Sequence, residues 1–489
     1  MSSEVSTRRD ILKAAAAAGV LALAGDVVGQ ATGPATRPAP LIGMQIGAKL
    51  LSADNIDQLF DDLHERGINT LFFFAFGYIA RWVPMSAEGF HGGNFGIPHM
   101  QYYKDTNLTY ADLRAPEFGD MDVLDRTTKA ARKHGFKTYA LIQEADQATA
   151  IPNWQPLFEV DSHGRRQGAR PGGPCSNNPY YRAFTQGLME DYARSYDIDG
   201  FMWSSERHGG LFSALGAEHY GGTTDPSKAT CFCEYCTKKG RDMGINVDRA
   251  REGFLALEPF VRSGRSGRRP RDGYFVSLMR LMLNYPELLQ WESFWINSRK
   301  QFMIDIRNRV RSVNTKLPVG FHVWHNASFS PFYRAEIDFA EMAKNADFIK
   351  PVVYNVSAGV RIDSFVDSVS QTIFGDIPRP QILQMLYEMF DYKELPYDKV
   401  GPAGFSTDYI KSEVKRTLDD LAGTNVPVYA GLDIDIPGAG APYTVESVKQ
   451  SVMTALQAGA HGVIFARNYG EMNTEHVKGV AAALKELGM

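Results

Sequence analysis

Short apolar runs alternate with amphipathic stretches along the body of the chain. The apolar runs at 41–47, 70–75, 137–143, 200–204, 319–324, 348–354, 427–432 and 462–466 read as strands buried on both faces. Between them, apolar positions recur at helical spacing. In 52–66 these are Ile56, Leu59, Phe60 and Leu63, behind a serine cap. Similar patterns predict helices over 122–134, 180–196, 294–313, 406–421, 445–458 and 476–487. Gly67, Gly135, Asn314 and Gly459 stand where helices commonly end.

Eight strands with helices between them predict an α/β fold, a (β/α)8 TIM barrel over 41–489. A doubly wound sheet gives similar local signals. The strand count favours the barrel, as does the gathering of functional residue types after the strand ends. Long connections, 76–120 and 206–290, follow strands two and four, and long loops on that face build substrate sites. The basic stretch 263–271 reads as a solvated loop.

Composition narrows the function. A 489-residue chain that is 44% hydrophobic and 22% charged is an ordinary soluble globule. With a net charge of −4 and no basic stripe, nucleic acid is not expected as a partner. Aromatic residues make up 12%, enough to supply flat platforms for sugar rings as well as core. The N-terminal Ser6-Thr7-Arg8-Arg9-Asp10-Ile11-Leu12-Lys13 resembles a bacterial twin-arginine export signal, followed by a mild, alanine-rich apolar stretch. That stretch is too short to serve as a mature membrane anchor. A signal peptide over 1–31 and a linker over 32–40 are therefore expected, with a periplasmic or secreted mature protein that is not membrane-bound. A homo-oligomer is compatible with the sequence, which carries no specific signal for one.

The four cysteines suit one structural zinc site. Cys231, Cys233 and Cys236 form a C-x-C-x-x-C turn, and Cys175 lies upstream. Such a turn wraps thiolates around a tetrahedral ion. Two disulfides are the alternative, which an oxidising compartment permits.

In this fold, catalytic groups come from the C-terminal ends of several strands. Those ends carry Glu144; Trp203 and Glu206; His322, Trp324, His325 and Asn326; Lys350 and Tyr354; Asp433 and Asp435; and Arg467 and Glu471. Carboxylates, amides, imidazoles and indoles around one mouth describe a carbohydrate site. Glycoside hydrolysis uses two carboxyl groups, one to protonate the leaving oxygen and one to attack the anomeric carbon or activate water. Glu206, after a buried strand, is the candidate acid/base. Asp433, across the ring, is the candidate nucleophile. Glu144, Trp203, His322, Trp324, His325, Asn326, Lys350, Tyr354 and Arg467 are candidate substrate contacts. Lys350, inside an apolar run, suits an ion pair with a catalytic carboxylate better than Schiff-base chemistry. Neither a phosphate-binding glycine loop nor a G-x-S-x-G elbow is present where it would be needed.

The order Cys175-Ser176-Asn177-Asn178-Pro179-Tyr180-Tyr181-Arg182, then an Asp-Gly strand ending in Glu206, then Cys231-x-Cys233-x-x-Cys236, resembles glycoside hydrolase family 42. Its members are clan A barrel enzymes, in the main β-galactosidases. The resemblance spans 137–326. It implies that Glu206 is the acid/base and that the four cysteines bind zinc. The chain departs from the family at Ser205, where the family has asparagine, and at Asp433, where its nucleophile is glutamate. The expectation is a retaining glycosidase acting on oligo- or polysaccharide. An α-L-fucosidase-like hydrolase and a non-catalytic sugar-binding barrel are the other readings.

Overall fold

A computed structural model of the chain describes residues 39–76, 94–106, 118–144, 154–167, 173–217 and 225–489. The expected signal peptide and nearly all of the expected linker lie outside the described residues. Eight parallel strands carry the body: β1 Leu41–Ile46, β2 Thr70–Phe76, β3 Lys137–Gln143, β4 Gly200–Ser204, β5 Val319–Val323, β6 Phe348–Pro351, β7 Tyr429–Asp433 and β8 Gly462–Asn468. Their order is β6-β5-β4-β3-β2-β1-β8-β7. Parallel bridges from Ile349 to Val428 and from Val352 to Gly431 join β6 to β7, so the sheet closes into the TIM barrel.

Both faces of the sheet are apolar because both are covered. Phe72, Phe74, Tyr139, Leu141, Met202 and Phe348 fill the floor of the barrel. The alternate positions, among them Phe73, Phe201, Trp203 and Phe321, pack outward in the helix-facing core. Gly320 makes the floor possible, since a Cβ there would sit 2.1 Å from the Phe348 ring.

Two regions differ from the sequence pattern. The connection after β4 is helical, with helices Glu234–Asp242, Val247–Arg265 and Tyr274–Asn284. The helix expected from 294 begins at Glu287 and runs to Val313, and the basic 263–271 stretch straddles a helix end. After β6 the chain leaves the sheet at Pro351, earlier than expected, and builds helices Asn355–Val369, Arg379–Phe390 and Tyr397–Ala403. The first of these helices brings Arg361, which the strand pattern does not reveal, against Tyr354 and His325. Among the described residues no helix is long and apolar enough to cross a membrane.

Candidate active site

Above the aromatic floor the barrel becomes polar. Neighbouring strands β5 and β6 pair His322 with Lys350, so both side chains enter the same layer. Lys350 is fully buried, and its Nζ lies 3.3 Å from His322 Nδ1. Burial pushes the Lys350 ammonium down to about 7, against the pull of the Glu206 charge. The same burial, reinforced by the Lys350 charge, lowers the His322 imidazole, while Glu206 opposes it. Glu206, just past β4, places Oε1 3.4 Å from His322 Nε2 and keeps its side chain 32% exposed.

Across the mouth, Asp433 ends β7 with its side chain buried. Its Oδ2 accepts hydrogen bonds from the Ser357 backbone N–H at 2.9 Å and from the Tyr443 hydroxyl at 2.8 Å. Oδ1 has no hydrogen-bond partner among the described residues. Burial raises the Asp433 carboxyl, and the two hydrogen bonds and the Arg361 charge work against that rise. The buried Tyr354 feels both acids. Its phenol is pushed up by burial first and then by the Glu206 charge, with Asp433 adding to the effect. The Arg361 guanidinium sits 5.4 Å from the centre of the Tyr354 ring.

Arg361 and Tyr443 escape the sequence analysis. Neither follows a strand end, and Arg361 belongs to the unexpected helix Asn355–Val369. Arg361 Nη1 lies 2.8 Å from His325 Nδ1, and a guanidinium can only donate there. The His325 proton is thus assigned to Nε2, which faces the Tyr409 hydroxyl at 2.9 Å. His325 is completely buried in this network. It holds Arg361.

Several other expected contacts have partners within the protein. Glu144 is buried under Arg299, which pairs with both carboxylate oxygens, and Arg207, at 2.8 Å. Burial alone would raise this carboxyl, but the two guanidinium charges overcome it and hold it at about 2. Trp203 packs outward against Phe302, 5.5 Å between ring centres, because successive strand residues point to opposite faces. It lines a cavity of about 180 Å³ together with Trp295, Phe321, His322, Trp324 and Asn326. Arg467 pairs with Glu471, and Asp435 accepts from the Asn473 N–H and contacts His476, both at 2.8 Å. Asp435 and Glu471 are thereby tied to the chain around β8. Trp324 stacks on His208 at 3.9 Å, Tyr333 covers the other face of His208 at 3.8 Å, and Asn326 Nδ2 reaches His208 Nε2 at 3.3 Å.

The cysteines do meet. Their four Sγ atoms lie within 4.8 Å of one another, and all four side chains are buried. Cys175 Sγ is 3.4 Å from Cys236 Sγ and 3.6 Å from Cys233 Sγ. Four thiolates about 2.3 Å from one tetrahedral zinc stand about 3.8 Å apart, so the donor set fits such an ion. Asn177 donates to the cluster twice, from N to Cys175 and from Nδ2 to Cys236, both at 3.4 Å.

A buried polar chain joins the cysteine turn to the Glu206 segment. Thr230, next to Cys231, donates to Glu159 at 2.6 Å. Glu159 pairs with Arg207 at 2.7 Å, and Arg207 also donates to the Pro174 carbonyl at 2.7 Å. Pro174 precedes Cys175 and Arg207 follows Glu206, so both halves of the cysteine cluster bear on the same rim.

No family model matches the sequence, and no curated protein matches it. Solved structures do match. The glycoside hydrolase domain of PgaB (BpsB) from Bordetella bronchiseptica is similar at a TM-score of 0.50 and 12% identity, covering 88% of this chain and 94% of that domain. The β-galactosidase of the psychrophilic Marinomonas ef1 also scores 0.50, at 9% identity, with 92% and 60% covered. α-L-Fucosidase isoenzyme 2 from Paenibacillus thiaminolyticus scores 0.47 at 13% identity; the match covers 92% of this chain and 49% of the fucosidase. This chain thus spans about half the length of that enzyme. The first two likenesses establish the fold, a TIM barrel shared with glycoside hydrolases.

Proposed function

We propose that the protein is an exported glycoside hydrolase acting on oligo- or polysaccharide. The observation that carries this reading is that β4 and β7 bring Glu206 and Asp433 near one buried tyrosine, Tyr354, whose phenol both charges raise. Glu206 is partly open to solvent, as a group that exchanges protons with substrate and water must be. Asp433 is held through one oxygen, and the other, Oδ1, is buried without a hydrogen-bond partner among the described residues.

In this scheme Glu206 protonates the leaving oxygen while Asp433 Oδ1 attacks the anomeric carbon. Water then cleaves the glycosyl ester with Glu206 as base, and the anomeric configuration is retained. Tyr354 and Arg361 flank the two acids. Cys175, Cys231, Cys233 and Cys236 hold a structural zinc whose only contribution is to fix the loops beside Glu206. The twin-arginine signal suits this arrangement, because that route exports proteins already folded around a metal.

The test is a screen of nitrophenyl glycosides and oligosaccharides with the wild type, Glu206→Gln and Asp433→Asn. Hydrolysis by the wild type, lost in both variants while sugar binding persists, supports the reading. Sugar binding without hydrolysis in any form would make the barrel a sugar-binding module instead.

A further inference from the structure

One column of titratable groups in the barrel goes beyond what a carboxylate pair requires. Lys350 stands at its base, His322 in the middle and Glu206 at the open end. The Nζ to Nδ1 distance is 3.3 Å and the Nε2 to Oε1 distance is 3.4 Å. His322 Nε2 is buried and makes no well-aligned hydrogen bond among the described residues. Contacts of this kind are often long until substrate is bound. The column has space because β7 carries glycine: a Cβ at Gly431 would sit 2.9 Å from Lys350 Cε.

Every neighbouring element brings a charge or a titratable group. Besides Glu206, His322 and Lys350 there are Tyr354, whose ring centre is 6.0 Å from Nζ, Arg361 from the helix after β6, Asp433 on β7 and Arg467 on β8. None of these lies between the three members of the column.

We propose that Lys350 is the proton reservoir of Glu206, with His322 carrying the proton between them. This rests on the acid/base role assigned to Glu206 above. In the charged form Lys350 is an ammonium, the imidazole carries its proton on Nε2 and Glu206 is a carboxylate. Lys350 gives a proton to Nδ1 as Nε2 gives its own to Oε1. One N–H bond breaks at Nζ and one forms at Nδ1; one N–H bond breaks at Nε2 and one O–H bond forms at Oε1. The imidazole remains neutral and changes tautomer, and the total number of protons is unchanged. What disappears is a separated pair of charges. A sugar seated over Glu206 excludes water, which disfavours that pair and drives the proton outward to the acid. The burial that brings the Lys350 amine close to neutrality makes the exchange affordable near pH 7. Lys350 and His322 are positioning residues in this scheme, since both act through Glu206.

Two measurements test it. The first compares alkyl and dinitrophenyl glycosides of the sugar the wild type cleaves. Alkyl leaving groups need the proton and dinitrophenolate does not. Lys350→Met should lower kcat for the alkyl glycoside about 100-fold, the low end of what general acid catalysis contributes, and leave KM and dinitrophenyl hydrolysis within a few-fold. Lys350→Arg, which keeps a charge but does not release its proton, should show the same selective loss. Equal losses on both substrates, or full rescue by arginine, overturn the proposal.

The second measurement needs no activity and uses the wild type. Nitrogen NMR of histidine-labelled protein, with the His322 signal identified by His322→Gln, should show this ring neutral and exchanging between its two tautomers near pH 7. Glu206→Gln should abolish that exchange. A ring fixed in one tautomer across the range refutes the relay, even in a working hydrolase. If no glycoside is cleaved, the hydrolase reading falls, and the tautomer still decides whether the relay exists.

Discussion

The Tyr443 hydroxyl donates a 2.8 Å hydrogen bond to the Asp433 carboxylate, although the two residues lie on opposite sides of the turn that leaves β7. Burial raises this carboxyl, and the tyrosine hydrogen bond opposes the rise. Tyr443→Phe therefore raises it further. The proposed nucleophile must be ionised, so the acidic limb of the pH–rate profile should move to higher pH. A hydrogen bond to a charged group is about 1.5–3 kcal/mol, which corresponds to a shift of about one pH unit or more. An unmoved limb would remove Asp433 from the nucleophile role or Tyr443 from its support.

Glu144 gives a prediction about stability. Its folded carboxyl is held near 2, below the ordinary 4.5. The stabilisation is therefore fully present above the ordinary value and is lost as pH falls from there toward 2. Glu144→Gln leaves Arg299 and Arg207 without that charge, and breaking a buried pair costs about 3–5 kcal/mol. Chemical denaturation at pH 7 should show a loss of this order, and the gap between variant and wild type should narrow in acid. A constant gap would mean that the carboxylate charge is not what holds the guanidinium groups.

The thiol cluster is tested by metal analysis. Protein purified without added metal should carry about one zinc per chain, and its removal by a chelator should lower the melting temperature. Cys236→Ser should lose the metal and destabilise the Glu206 rim with it. Zinc-free protein without titratable thiols would point to disulfides instead.

A fourth prediction concerns Gly431. Alanine there meets Lys350 Cε at 2.9 Å and the Pro351 carbonyl at 3.1 Å. The flexible lysine end moves more easily than the backbone, so Gly431→Ala should fold with little loss of stability. Its activity should fall more than its melting temperature suggests, because the amine is displaced from His322. Unchanged kcat would show that the lysine position tolerates displacement.

The barrel was largely legible in the apolar runs; β3 and β4 fall on the expected residues. What the runs could not supply is the direction of each side chain. A strand buried on both faces has apolar neighbours at every position, so Met202 and Trp203 look alike in sequence while one fills the floor and the other packs on a helix. The same ambiguity concealed the structural role of Glu144, whose partner Arg299 lies on the distant helix Glu287–Val313. Arg361 was hidden for another reason. It sits in a helix that follows β6 without any strand to announce it, and its importance comes from packing against Tyr354 and His325. The gathering of the four cysteines was readable because three of them share one short turn.

The carboxylates of Glu144 and Glu159 and the guanidinium groups of Arg207 and Arg299 amount to zero net charge, sealed from bulk water beneath the rim. Dissolved ions weaken attractions on the outside of a protein far more than attractions in its interior. The footing of the Glu206 rim is thus insulated from the salinity of the surrounding fluid, and brackish or dilute surroundings leave its geometry alike.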